Sequence, residues 1–172
     1  RVMRWLPVFL ALSTSSPFWN RADTGLLSYR PAAYDEWPRT GVPDRFRDEG
    51  EYARFVELLV PGGAASDASF LWWAIRPALS YPTLELRICD ACTRVEDTLA
   101  VAALYRCLVR LLIRRPELAP DWTPFTRRLI DENRWRAKRC GIDAAFVSED
   151  GSPPRACRAV VGDLLECVAE DA

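Results

Sequence analysis

In the stretch TLELRICD, residues 83–90, Glu85 and Arg87 stand two positions apart in an otherwise apolar run. Successive side chains of an extended strand point to opposite faces, so Glu85 and Arg87 share one face with Thr83 and Cys89, and Leu84, Leu86 and Ile88 take the other. Two readings follow. Opposite charges on one face of a half-exposed sheet form an ordinary ion pair. Alternatively the face lines a cleft, Glu85 holding a divalent cation such as Mg2+ and the planar Arg87 guanidinium gripping a carboxylate or phosphate at two points. Arg76 ends the neighbouring stretch FLWWAIR, and pairing of the two segments brings it to the same cleft as a second cationic arm, or leaves it as a rim charge. A third group, Asn133, Arg134 and Arg136, lies where six cations fall between Arg127 and Arg139. These either aim at phosphates or form a solvated helix face.

Other residue types narrow the chemistry. The chain has no His, which removes the commonest general base and metal ligand. Six cysteines stand at 89, 92, 107, 140, 157 and 167. The core of a domain this size needs no disulfide staples, so all six are expected as free thiols. Cys89 and Cys92 form the one close pair, C-D-A-C, and a zinc site there would need two more ligands from scattered cysteines, so plain burial is the expectation. A formal net charge of −1 with 49% apolar residues describes a globular chain and excludes a broadly basic wrapper of nucleic acid.

The elements that must position these residues can be read from periodicity and punctuation. At 172 residues one domain, 1–172, is expected. Residues 2–12 read as a buried helix; the apolar run LPVFLAL is too short and lacks the small-residue cleavage site of a signal peptide. No segment approaches the ~18 apolar residues of a membrane span. Residues 13–47 form a long loop whose aromatics, Phe18, Trp19, Tyr29, Tyr34 and Trp37, argue for order and a cleft-lining role. Helical spacing returns at 51–60 and is stopped by Pro61-Gly62-Gly63. FLWWAIR at 70–76 and TLELRIC at 83–89 read as strands paired antiparallel through a short connection. Thr93 with Glu96 forms a capping box for a helix reaching Leu112, nearly apolar all round and therefore expected to be buried. A basic helix over 124–140 starts at Thr123-Pro124 and ends at Gly141. A strand at IDAAFV, 142–147, leads to a last helix from Ser152-Pro153 with Val160, Val161, Leu164, Leu165 and Val168 in one stripe.

Several of these segments, taken in order, resemble one family. ALSTSSPFWNRADTGLLSYR, FLWWAIRP, TLELRICD with the VEDTLAVAALYRCLVR helix, and ENRWRAKRCGIDA look like the carboxylate-amine ligase branch of the type 2 glutamate-cysteine ligase family. The SSPFW-x-x-x-DTG-x-x-SYR loop and the N-R-W-R-A segment carry most of the likeness. The resemblance implies an α+β, glutamine-synthetase-like catalytic fold, an antiparallel sheet forming a funnel with helices packed outside. It also implies ATP-dependent joining of a carboxylate, with glutamate the expected acid, to an amine through an acyl phosphate, with ATP and Mg2+ as cofactors. By this resemblance Glu85 matches a ligand of Mg2+, Arg87 faces the substrate carboxylate or the transferred phosphoryl group, and Arg76 stands beside it in the catalytic group. Ser15, Trp19 and Arg30 match the substrate side, and Asn133, Arg134 and Arg136 the nucleotide side.

The family's acidic E-E-E strand and its histidine-containing strand do not occur in these 172 residues. The likeness is therefore to the C-terminal half of the fold, and the opening on Arg1 suggests a piece of a longer protein, a split subunit or a degenerate relative. The expected partners are a small carboxylate and an amine, with the missing N-terminal half or a second copy completing a homo-oligomer, in the cytoplasm, and with neither nucleic acid nor membrane. The rival expectation is a non-catalytic helical interaction module in which Glu85 and Arg87 are a structural ion pair and the basic helix is a docking face.

Overall fold

The structure, a computed structural model, describes residues 1–119 and 121–171. It is α+β, about half helical, with three small antiparallel two-stranded sheets. In chain order the elements are α1 (Leu6–Ser13), β1 (Phe18–Trp19), β2 (Ala22–Asp23), α2 (Arg30–Tyr34), α3 (Glu49–Leu59), β3 (Ile75–Pro77), β4 (Leu84–Leu86), α4 (Val95–Arg114), α5 (Thr126–Cys140), β5 (Ala145–Phe146), β6 (Arg155–Ala156) and α6 (Cys157–Val168). Two compact units divide the chain, residues 1–33 with 89–172 and residues 34–88. Among the described residues no helix is long and apolar enough to cross a membrane.

The first unit is built on α1. LPVFLAL is apolar on every side, so the helix must be covered all round. It packs against α4, α5 and α6, and Leu6, Phe9 and Leu10 are fully buried. The preceding residues Val2–Trp5 form a 3-10 turn, and Pro7 sits in the first turn of α1, where its missing N–H costs nothing. α5 ends where expected, at Gly141 with φ 54° and ψ −133°, a conformation open to glycine alone. A Cβ there would lie 2.9 Å from both Leu27 Cδ1 and Thr14 Oγ1, so this residue also lets the loop after α1 approach.

Several expectations are corrected in this unit. The helix α4 is not buried: only Leu108, Leu111 and Leu112 are, while Val95, Leu99 and Ile113 are 64–71% exposed. A 20-residue helix is about 30 Å long, and its buried residues all lie in its second half. The capping box does not form either, since Arg94 occupies the N-cap without a side-chain bond. α5 begins at Thr126, two residues beyond the proline, because Thr123 and Thr126 bond each other across the turn. The strand at 142–147 shrinks to β5, preceded by a 3-10 turn and paired with β6, so the last helix starts only at Cys157. Leu165 leaves the apolar stripe and is 53% exposed.

The second unit is organised around Trp73. Ala68, Leu71 and Trp73 are buried, and Phe46, Tyr52, Phe55, Val56 and Leu59 pack against them. α3 therefore buries one side only, and its start is two residues earlier than periodicity indicates, where Asp48 caps it by accepting from the Glu51 N–H at 2.8 Å. The strand expected over 70–76 is mostly absent. Asp67 accepts from the Ser69 N–H and starts a 3-10 turn over Ala68–Phe70, and the Ala74 N–H goes to Gly41 O, so the ladder begins at Ile75. From there β3 and β4 pair antiparallel as expected, with Arg76 opposite Glu85.

Candidate functional site

Each unit holds one constellation of the residues singled out from the sequence. In the second unit the hairpin register sets Arg76 across from Glu85, and the Arg87 N–H extends the ladder to Ala74 O at 2.8 Å. Glu85 and Arg87 do share a face. Arg76 Nε and Arg87 Nη1 both donate to Glu85 Oε2, at 2.9 and 3.3 Å. Arg76 is neither a rim charge nor an open arm: it is 8% exposed, and its Nη1 also donates to the carbonyls of Ser69 and Leu71. Burial works to raise the Glu85 carboxyl pKa, but the hydrogen bond and charge of Arg76, then those of Arg87, outweigh it and hold the pKa below its ordinary value.

The trio carries two guanidiniums against one carboxylate, a net charge of +1. Its field favours an anion. Among the described residues no three His, Cys, Asp or Glu groups gather to hold a metal. Glu85 alone fits Mg2+ in one way only: that ion commonly takes one or two carboxylates and fills its shell with phosphate oxygens and water, so it fits as a phosphate complex rather than as a bare cation.

In the first unit, Ser15, Trp19 and Arg30 stand on one stapled loop. β1 and β2 form a hairpin whose turn residues Asn20 and Arg21 take φ of 48° and 66°. Trp19 is 53% exposed and leans on Tyr29, the ring centroids 5.4 Å apart. Ser15 Oγ donates to Ala91 O at 2.8 Å, and Arg30 begins α2 with an exposed side chain. The residue that sequence reasoning passed over is Asp90. It is 6% exposed and accepts from Ser15 N–H (2.9 Å), Ser16 Oγ (2.8 Å) and Ser28 Oγ (2.9 Å). The available signal was an acidic residue directly after the strand stretch in a chain with serines clustered in STSS before PFW and one more in LSYR.

Asn133, Arg134 and Arg136 share α5 but not a direction. Asn133 pairs both ways with the Val147 backbone, Nδ2 donating at 2.7 Å and Oδ1 accepting at 2.8 Å. Arg134 is buried, its Nη1 3.2 Å from Asp131 Oδ1. Arg136 donates to Glu132 at 2.7 Å and to Ala145 O at 3.1 Å. This stretch holds β5 against the helix. All six cysteines are free of disulfides, and burial pushes Cys89 up to about 11, which makes it a poor nucleophile at neutral pH.

With this geometry in hand, known proteins add context. Residues 1–171 match the family described as Glutamate-cysteine ligase family 2 (GCS2). Similar proteins carry the name "Putative glutamate--cysteine ligase 2": one from Rhodospirillum rubrum is 48% identical over 172 residues, covering 100% of this chain and 44% of the relative. One from Bradyrhizobium sp. (strain ORS 278) is 49% identical over 168 residues, 98% of this chain and 41% of the relative. One from Ectopseudomonas mendocina is 52% identical over 147 residues, 86% and 39%. The chain thus spans less than half the length of the curated relatives it matches.

Proposed function

The chain belongs to the glutamate-cysteine ligase family 2, and on that premise we propose that it is the C-terminal portion of a carboxylate-amine ligase with a glutamine-synthetase-like catalytic domain. The reaction is ATP-dependent. A carboxylate oxygen of glutamate attacks the γ-phosphorus of ATP, releasing ADP; the amine nitrogen of the second substrate then attacks the acyl phosphate carbon, phosphate departs and the nitrogen loses a proton. A carboxylate is already a nucleophile at neutral pH, so the first step needs no histidine.

The observation that carries this reading is the Arg76–Glu85–Arg87 trio on a hairpin of a family member. Arg87 orients the substrate carboxylate or phosphoryl group, and Glu85 holds both guanidiniums. Glu85 is also the ligand this chain offers to Mg2+, which when bound with the nucleotide supplies charge neutralisation on the phosphates. Ser15, Trp19 and Arg30 shape the substrate side, and Asn133, Arg134 and Arg136 the nucleotide side, acting largely through the backbone segment they hold. The remaining length of the family's domain, in the same polypeptide or in a partner, completes the site, and free thiols with ATP chemistry suit the cytoplasm.

A second reading has its own support. The buried Arg76, bonded to two backbone carbonyls, is what a purely structural ion pair would show. The test is the full-length gene product with ATP, glutamate and a panel of amines including cysteine, followed by ADP release and by hydroxylamine trapping of an acyl phosphate as a hydroxamate. Nucleotide-dependent amide is the expected result. Absence of both products with glutamate and every amine of the panel would leave the structural reading in possession.

A further inference from the structure

We propose that Asp90 is the positioning residue of the 15–30 loop, fixing the register in which Ser15, Trp19 and Arg30 are presented. Both carboxyl oxygens are used, and they span the loop: Oδ2 accepts from Ser15 N–H and Ser16 Oγ at its start, and Oδ1 accepts from Ser28 Oγ at its end. The two ends are also tied to each other. Ser16 N–H donates to Leu27 O (3.1 Å), Tyr29 N–H to Ser16 O (2.7 Å), and Arg30 N–H to Ser16 Oγ (3.1 Å). Asp90 is in turn fixed from below, its own N–H donating to Ser13 Oγ at 3.2 Å and that hydroxyl donating to Phe9 O in α1 at 2.9 Å. A rigid helix thus holds Asp90, and Asp90 holds both feet of an exposed aromatic hairpin. Without it three donors would lose their acceptor, the fully buried Ser28 hydroxyl among them, and a loop so short of apolar anchoring could settle in other registers. The segment closes on Gly141 as well, since Ser28 N–H donates to Lys138 O at 3.0 Å one turn before it, but that bond fixes one foot only.

The inference rests on the ligase reading for the role of the loop in binding, and not for the loop's geometry. Two measurements separate them. In the full-length gene product, hydrogen exchange of peptides covering 15–30 should quicken about tenfold in Asp90→Ala and about threefold in the milder Ser28→Ala, which removes one bond only. Asp90→Asn should restore most of the protection: its oxygen still accepts on the Ser15 and Ser16 side, and its amide can donate to a Ser28 hydroxyl turned to accept. In the full-length gene product, Asp90→Ala should raise KM for glutamate about tenfold while kcat and KM for ATP stay within about twofold, and Asp90→Asn should recover it. Unchanged exchange in both Asp90→Ala and Ser28→Ala would overturn the proposal. So would an Asn variant that melts like the parent yet exchanges and binds like Ala, since Asp90 would then act by charge rather than geometry. A parent protein without any ligase activity would sink the ligase reading and leave the exchange measurement to decide on Asp90.

Discussion

Arg76 occupies a place where a cation is costly, 8% exposed, and it is held there by Glu85 and two carbonyls. Replacing it by Met keeps the aliphatic stem and removes every donor, so the Ser69 and Leu71 carbonyls lose a partner; Arg76→Met should destabilise the fold by about 2 kcal/mol in urea denaturation. A loss near zero would mean that water replaces the guanidinium there. Glu85 adds a pH signature. Its pKa is held below the ordinary 4.5, so its contribution is fully present above that value and is lost as pH falls through the lowered one. The stability gap between the parent and Glu85→Gln should therefore be widest near neutral pH and narrow as the pH falls below 4.5 and through the lowered value. Melts of both proteins across that range check it, and a gap independent of pH would remove the ion pair as its cause.

At the scale of elements, α4 and the end of α5 make opposite predictions about which residues matter. On α4, Leu108 is fully buried and Leu99 is 64% exposed although the two look alike in the sequence. Leu108→Ala should cost about 3 kcal/mol through lost transfer and a residual cavity, and Leu99→Gln should change stability by no more than about 0.5 kcal/mol in this chain. Comparable losses for both would mean that the first half of α4 is covered after all. At Gly141 a methyl group meets a strained φ of 54° and two atoms at 2.9 Å. Gly141→Ala should cost about 2 kcal/mol, and hydrogen exchange should show the loosening in the segment around Thr14 and Leu27 rather than in the body of α5.

Across the whole molecule the thiols give a map of burial that needs no ligand. Cys140 and Cys167 are exposed, whereas Cys157 is fully buried and burial pushes both it and Cys89 up to about 11. An aromatic disulfide reagent at neutral pH should label Cys140 and Cys167 fast and Cys89 and Cys157 slowly in the native protein, and all six after denaturation without reductant. Fewer than six thiols in the denatured sample, or fast labelling of Cys157, would contradict the packing described for α6. The legibility of the fold follows the same division. Where one helix is apolar on every side, as in LPVFLAL, composition alone predicts its burial, and α1 is indeed the covered element. Where apolar residues spread over a long helix, as in α4, the same argument fails because burial depends on what lies opposite.

The sequence by itself determined the family, the antiparallel pairing of β3 with β4, the shared face of Glu85 and Arg87 and the end of α5 at Gly141. Each depends on local spacing, on alternation along a strand, or on a motif that survives in order. Only the tertiary structure decided that Arg76 is buried beneath Glu85, that Asn133 holds the Val147 backbone, and that Asp90 ties Ser15 to Ser28. These contacts join positions from 9 to 75 apart in the chain, and of the two acidic residues among them Asp90 belongs to no motif of its own. An aspartate after a strand reads as a turn residue until the fold brings three donors to it.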